Sequence, residues 1–598
     1  MRSLISYLLC SCLLLYATFI FFPKWEKHGG ESPLGWDVSG YYWYLPSMFI
    51  YHDLKHQPFS DSILKKYEFT PGNMQSFTYK NGNQVLVYSS GMAVMYSPFF
   101  AIAHALAKPL GYPADGFSKP YQVSLQLGSL LIALIGMWYF RKLLLIYYSD
   151  TVTAIMLLLL VFGTNYLNYA GITNTLTHNW LFTVYVFILL NTIHFYRKPS
   201  YKYAIGIGLL TGLAMLTRPT EIVAILIPLL WGMESISVNT IKQRIAFFKA
   251  QLNKIVITAL CTLAVGSIQV AYWLYVTGKP FIYSYQDKGF SWLHPHLWDY
   301  MCSYRSGWIT YTPLVIFFFL GIIPFIKHGK NKVAVLVFFA LNLYIVSAWD
   351  IWWYGGTGGR AMIQSYPIIM LPMATLMDEI IKRKVLLLAL TPVLLLAAYI
   401  NIWFTYNAHK GEGLYEADGM TGDFYWTVVG RWHVNPLVQR YKDTRDVFFG
   451  KPKNLSLIYS NDFERDTTLN TKLAPPIKGE KSIVSNKMHE YSGSYYFAFH
   501  KTPDKEWLRA VALFKFDDYS PNYWSMPEFT VQFMKDHEVV QTSTIRPQRT
   551  MDISEPKEFY FDVKIPDRDV DTVKFFTRNA LSDAPFIMDN IRFYSFNE

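Results

Sequence analysis

The chain carries little charge for its length and almost no cysteine. Only 16% of its 598 residues are Asp, Glu, Lys or Arg, where soluble domains carry about 25%, so water does not solvate most of it. Its four cysteines are Cys10, Cys12, Cys261 and Cys302, the first three inside apolar runs. That is no disulfide framework. No glycine-rich loop ends in Lys-Ser or Lys-Thr, which argues against a P-loop nucleotidase. His294 and His296 share a loop, yet no cluster of Cys, His and carboxylate has zinc-ligand spacing. Asp37-Val38-Ser39 is not a paired-aspartate metal motif. Neither an essential metal nor a cofactor is expected, and no internal repeat is visible.

What the chain does have is apolar surface: 52% hydrophobic and 18% aromatic residues. Uncharged runs near the length of a membrane-spanning helix fall at 4–22, 121–140, 151–169, 176–195, 202–216, 222–233, 255–276, 308–326, 333–349, 361–377 and 385–404. They predict a polytopic α-helical membrane protein with about eleven crossings. The segment 91–110 contains Pro98, His104 and Lys108 and is expected to lie at the interface. Leu9-Cys10-Ser11-Cys12 has a loose likeness to a lipoprotein cleavage site, but the many later runs favour a first membrane helix.

The net charge of +11 would suggest nucleic acid in a soluble protein. Here the basic residues cluster between apolar runs, so they report topology and no nucleic-acid partner. Arg141/Lys142, Arg197/Lys198/Lys202, Lys242/Arg244/Lys249/Lys254, Lys327/Lys330/Lys332 and Lys382/Arg383/Lys384 all share one side if every run crosses once. By the positive-inside rule that side is cytoplasmic, with the N-terminus behind Arg2. Residues 23–120, 217–221, 277–307 and 349–360 then lie outside, with the tail from about residue 406.

Beyond residue 405 the long apolar runs stop. Segments 529–533 and 559–565 alternate apolar and polar residues, as half-buried strands do. Segments 494–499, 511–516, 572–576 and 586–596 are further candidates. The expected organisation is a membrane domain at 1–405, a partly helical connector at 406–452 lying over it, and an extracytoplasmic β-sandwich at 453–598.

Candidate chemistry concentrates in the outer segments. Asp37 is a lone carboxylate among rings in Gly35-Trp36-Asp37-Val38-Ser39-Gly40-Tyr41-Tyr42-Trp43-Tyr44. It is either a catalytic base or, like Ser39, a cap for the helix that follows. Arg218, Arg305 and Arg360 sit in outer loops against the charge bias, and guanidinium forks suit phosphate. Arg218 can instead pair with Glu221 and pin its turn, and Arg360 can anchor the interface. The four glycines in Gly355-Gly356-Thr357-Gly358-Gly359 favour phosphate binding at Arg360, because they let backbone amides approach a ligand. Tyr41, Tyr42, Trp353, Tyr354, Gly355 and Gly356 are expected to line the substrate. Trp292, Trp298, Trp308, Trp349, Trp352 and Trp353 read first as an interfacial aromatic belt.

Trp36-Asp37-Val38-Ser39-Gly40-Tyr41-Tyr42, Thr217-Arg218-Pro219-Thr220-Glu221 and Trp352-Trp353-Tyr354-Gly355-Gly356 through Arg360 together resemble the bacterial branch of the GT-C glycosyltransferases. That superfamily includes protein O-mannosyltransferases and the aminoarabinose transferases of lipid A. The resemblance covers residues 1–410. It implies a polyprenyl-phosphate-linked sugar donor, an outward-facing site in the bacterial inner membrane, and an acidic base in the first outer loop, which is Asp37's position. Many relatives carry two adjacent acids there. Val38 stands in the second place, which leaves the acceptor open among glycan, glycolipid and protein. The C-terminal part resembles carbohydrate-binding modules in strand pattern. The rival class is a transporter or flippase of lipid-linked glycans. It would place charge within its spans, and these spans are nearly free of it.

Overall fold

The computed structural model describes residues 1–411, 413–467, 473–500, 505–518 and 523–598. They divide into two compact units, Met1–Gly411 and Glu412–Glu598.

The first unit is helical. Five helices are long and apolar enough to cross a membrane: Arg2–Glu26, Lys119–Leu144, Thr177–Arg197, Leu252–Thr277 and Lys384–Lys410. Lys119–Leu144 has 26 residues, about 39 Å of helix, against a hydrocarbon core of about 30 Å. Six shorter apolar helices accompany them, among them Gly91–Ala107, Asp150–Gly163 and Tyr201–Thr217. Gly91–Ala107, expected at the interface, packs along Lys119–Leu144: Ser124 Oγ donates to the Phe99 carbonyl (2.8 Å). A Cβ on Gly128 would stand 2.4 Å from the Phe99 ring.

Several runs that read as single crossings are broken. The helix beginning at Asp150 stops at Gly163, where Thr164 turns extended and its hydroxyl binds the Leu160 carbonyl. Residues 222–233 are a 3-10 turn Pro219–Ile225 followed by the five-residue helix Leu226–Leu230. Residues 308–326 split at Thr312-Pro313 into Trp308–Tyr311 and Val315–His328. The run from Ala361 opens as a 3-10 turn, Arg360–Ser365, before the helix Tyr366–Ile381. Proline at 219, 313 and 367 lacks the N–H that a continuous helix needs. Irregular backbone within a bundle of apolar helices is tolerable where protein buries it or a cavity lies beside it.

The loops sort into two ends. At one, Asn81 and Asn83 donate to the Val276 carbonyl (2.9 and 2.7 Å) and Ser284 donates to the Val87 carbonyl (2.6 Å). There too Phe290 bridges Trp349. These are the segments expected to lie outside together. At the other end, the Met1 ammonium pairs with Asp150 (2.9 Å) and Arg141 donates to Ser3 (2.9 Å). Gly232 N donates to Asn331 (2.9 Å), and Lys254 lies over the Tyr201 ring. Arg141, Lys254 and the loops at Gly232 and Asn331 make these contacts apart from the outer set.

The first unit also carries a two-stranded ribbon, β1 (Ser76–Thr78) and β2 (Gln84–Leu86). The second unit holds β3 (Lys453–Asn461), β4 (Ile483–Ser485), β5 (Tyr495–Ala498), β6 (Trp507–Phe516), β7 (Glu528–Lys535), β8 (Glu538–Ile545), β9 (Lys557–Lys564), β10 (Thr572–Arg578) and β11 (Phe586–Asn597). One antiparallel sheet runs β3-β11-β6-β9 with β4 also on β11, and the other runs β5-β10-β7-β8. Alternating apolar residues of both sheets meet in one core: Phe514 and Phe586 from the first, Phe529 and Phe575 from the second. The Phe514 and Phe529 rings are 5.5 Å apart, and those of Phe575 and Phe593 are 5.2 Å apart.

The expected connector is divided. Its first residues finish the helix Lys384–Lys410. The remainder carries the Thr421-capped helix Gly422–Val428 and folds with the sheets, where Arg440 donates to the Tyr560 carbonyl (2.7 Å).

Candidate active site

The acid stands where a short helix is forced to begin. A Cβ on Gly35 would lie 2.0 Å from the Gly30 carbonyl oxygen, so the chain passes there only as glycine. Trp36 follows with a positive φ of 53°, and the helix Asp37–Tyr42 starts at the acid. The Asp37 carboxylate caps nothing; Ser39 Oγ donates to the Trp36 carbonyl (2.7 Å) and does not cap either. Both capping readings are excluded. The two carboxylate oxygens point to two partners. Tyr88 Oη donates to Oδ1 (2.9 Å), and Arg360 Nη2 donates to Oδ2 (2.9 Å).

Tyr88 is braced from several sides. Its carbonyl accepts from the Tyr44 hydroxyl (2.6 Å), and its ring lies 4.5 Å from that of Tyr41 and 6.1 Å from that of Tyr285. The ring crosses the helix at Gly40, where a Cβ would meet it at 2.2 Å. Burial, then the negative charge of Asp37, pushes the phenol well above its ordinary range. Tyr88 therefore stays protonated and donates.

Arg360 is carried by the glycine loop. Gly355, Gly356 and Gly359 have φ of 62°, 93° and 70°, which side chains resist. A Cβ on Gly358 would lie 2.6 Å from the Gly307 carbonyl, and one on Gly359 would lie 2.2 Å from Trp308. The Gly358 carbonyl accepts from Asn165 (2.8 Å), and Thr357 Oγ1 from Asn168 (2.7 Å). The second glycine pair is thus spent on packing against protein, which corrects the expectation that all four open the backbone to a ligand. Burial opposes the Arg360 charge, but Asp37 and Tyr169 more than offset it, and its pKa is raised.

Arg218 lies over the Tyr354 ring, 5.6 Å from its centroid. The expected pairing with Glu221 is absent: Glu221 accepts from the Tyr185 hydroxyl (2.6 Å) and from Gln364 (3.0 Å). Among the described residues, Arg218's side chain has no ion-pair partner. Arg305 stacks on Trp353 at 3.6 Å, in the loop beside the glycines. No ion pair or hydrogen bond ties it to Asp37 among the described residues.

Of the expected lining residues, Tyr41 belongs to the site, close enough to feel the charges of Arg218, Asp37 and Arg360. Tyr354 and Trp353 carry the two flanking arginines. Tyr42 is a correction: fully buried, it bonds the Gly116 carbonyl and packs on Phe100 and Phe117, away from the acid.

Sequence reasoning missed Tyr88, Asn165, Asn168 and Tyr169. The segment 164–179 holds Asn165, Asn168, Asn174, His178 and Asn179 where two apolar runs meet. That density of uncharged polar groups in apolar surroundings was the available signal. Tyr88 had no comparable one.

A polar centre of one carboxylate, two guanidiniums and several phenols thus stands at one end of an apolar helical unit. No protein-family model matches the chain, and no curated protein matches it. Among solved structures it is similar to the single-particle cryo-EM structure of arabinosyltransferase EmbB from Mycobacterium smegmatis. The identity is 11% and the TM-score 0.27, over 84% of this chain and 59% of that one. This chain thus spans less than two thirds of that structure's length. A likeness this loose says nothing of the residues in the site.

Proposed function

We propose that the chain is an integral membrane glycosyltransferase of the GT-C type. It moves a sugar from a polyprenyl-phosphate donor to the hydroxyl of an extracytoplasmic glycan, glycolipid or protein. Its site faces away from the cytoplasm of a bacterial inner membrane. The carrying observation is Asp37 held between Tyr88 and Arg360, beside an Arg218 with no ion-pair partner among the described residues.

A glycosyl phosphate brings its own leaving group, so no second carboxylate is needed as acid, unlike glycoside hydrolysis. Asp37 takes the acceptor's hydroxyl proton as its oxygen attacks the anomeric carbon. The bond from that carbon to the phosphate oxygen breaks, its electron pair leaves with the phosphate, and the centre inverts. Arg360 and Arg218, with Arg305 at the edge, stabilise the charge that develops on the phosphate. Tyr41, Trp353 and Tyr354 offer ring faces to the sugar. No metal or cofactor is required by this scheme.

The test is reconstitution. Purified protein in liposomes, given a labelled polyprenyl-phosphate sugar and a membrane extract of acceptors, transfers label with release of polyprenyl phosphate. Passage of an intact lipid-linked glycan across the bilayer without bond cleavage would instead make it a transporter.

A further inference from the structure

Both oxygens of Asp37 are occupied, one by Tyr88 and one by Arg360. A carboxylate has about four lone-pair sites, so an incoming hydroxyl can reach Asp37 beside these partners, but the acid takes its proton more readily once the Arg360 cation is drawn off. Tyr88 is pinned through its carbonyl by Tyr44, and its ring is wedged over Gly40. A pinned, neutral phenol is drawn by an anion less strongly than a guanidinium is. Arg360 is the mobile partner: an oxyanion competes with a carboxylate for the same guanidinium fork.

The surroundings hold donors without acceptors. Among the described residues, Arg360 Nε is buried without a hydrogen-bond partner, and so is the hydroxyl of Tyr300, a residue 1% exposed. Arg218's side chain makes no hydrogen bond or ion pair among the described residues. Its charge is felt at both Arg360 and Tyr300. Tyr354 ties Arg218 to Tyr300, with Arg218 5.6 Å and the Tyr300 ring 6.2 Å from its ring centroid, and it opens the glycine loop that carries Arg360. Buried donors left unspent are costly, and a cluster of them fits a ligand rich in acceptor oxygens.

We propose that a phosphate-class oxyanion binds between Arg218 and Arg360, with Tyr300 as a further donor, and that it competes with Asp37 for Arg360. With the guanidinium drawn to the phosphate, the acid is the better base, so donor binding before acceptor is the productive order. This rests on the reading of Asp37 as base and of the donor as a lipid phosphate. Asp37's side chain is 31% exposed and that of Arg360 15%, so the carboxylate stays reachable for an acceptor after the exchange.

The test measures binding of two probes, inorganic phosphate and polyprenyl monophosphate in nanodiscs. It compares wild type, Asp37→Asn, Arg360→Gln, the double variant, and Tyr300→Phe, each checked for an unchanged melting temperature. Removing Asp37's charge releases Arg360, and the affinity for phosphate rises roughly fivefold, the scale of a partly exposed ion pair. In the Arg360→Gln background the same change has no effect, and Tyr300→Phe weakens binding. Unchanged or weaker binding in Asp37→Asn overturns the competition. Equal tightening without Arg360 overturns it as well, because a general charge effect would then suffice. Tightening for inorganic phosphate with no lipid phosphate bound by any form upholds the competition and removes the lipid-donor reading.

Discussion

Gly40→Ala isolates the brace on the acid without touching a charged group. The added Cβ would stand 2.2 Å from Cδ2 and 2.5 Å from Cε2 of Tyr88. The ring must retreat by about 1 Å or more to reach ordinary contact at about 3.5 Å. It cannot do so freely, because Tyr41 and Tyr285 flank it and Tyr44 holds its carbonyl. The 2.9 Å hydrogen bond to Asp37 is what gives. Overpacking costs about 1–3 kcal/mol, while alanine in a helix returns up to about 1 kcal/mol over glycine. The net loss of stability is therefore small, about 0–2 kcal/mol. The hydrogen bond to a charged group is worth about 1.5–3 kcal/mol, which predicts a loss in kcat/KM of about 10- to 100-fold. Transfer kinetics and a melting curve on the same preparation separate the two effects. Gly266→Ala, where a Cβ would meet nothing within 4 Å, is the control and keeps full activity. Gly40→Ala with wild-type kinetics would refute the brace.

Three further substitutions probe other parts of the account. Gly359→Ala forces a Cβ to 2.2 Å from the buried Trp308 at a φ of 70°, so about 2–4 kcal/mol is lost and the melting temperature of the helical unit falls. Arg305→Lys loses the planar stack on Trp353 at 3.6 Å, and polyprenyl phosphate binding weakens by about 1 kcal/mol in a titration. Asp443→Asn, in the β unit, strips a fully buried carboxylate from Arg546 (2.7 Å) and Arg549 (3.2 Å). Arg546 keeps Glu528 and Arg549 keeps Glu416, so the loss is that of one buried charged acceptor shared by two guanidiniums, about 1.5–3 kcal/mol, seen as a lower β-unit transition in calorimetry of the whole chain.

The apolar helices were legible because membrane helices announce themselves in composition. The breaks in those helices were less so. The helix ends at Gly163 because of Thr164's conformation and a local hydroxyl bond, and neither interrupts a hydropathy profile. Strands β7 and β9 showed their alternation, whereas β3 was not read as a strand: Leu455, Leu457 and Tyr459 alternate there, but Ile458 interrupts the pattern and the strand is largely exposed. Asp37 and Arg360 were each legible as unusual charges in outer loops. Their pairing across 323 positions is tertiary, and so is the reason Gly40 is glycine. The Arg218–Glu221 pair was suggested by proximity in sequence, and Tyr185 and Gln364, distant in sequence, displaced it.

The central claim is that Asp37 is the base of a sugar transfer. Asp37→Asn keeps the shape of the side chain and removes its basicity, so one reconstituted assay decides. With labelled polyprenyl-phosphate sugar, wild-type protein and an equally folded Asp37→Asn variant, transfer by the variant is predicted to fall by at least about a hundredfold. Transfer near the wild-type rate would contradict the account.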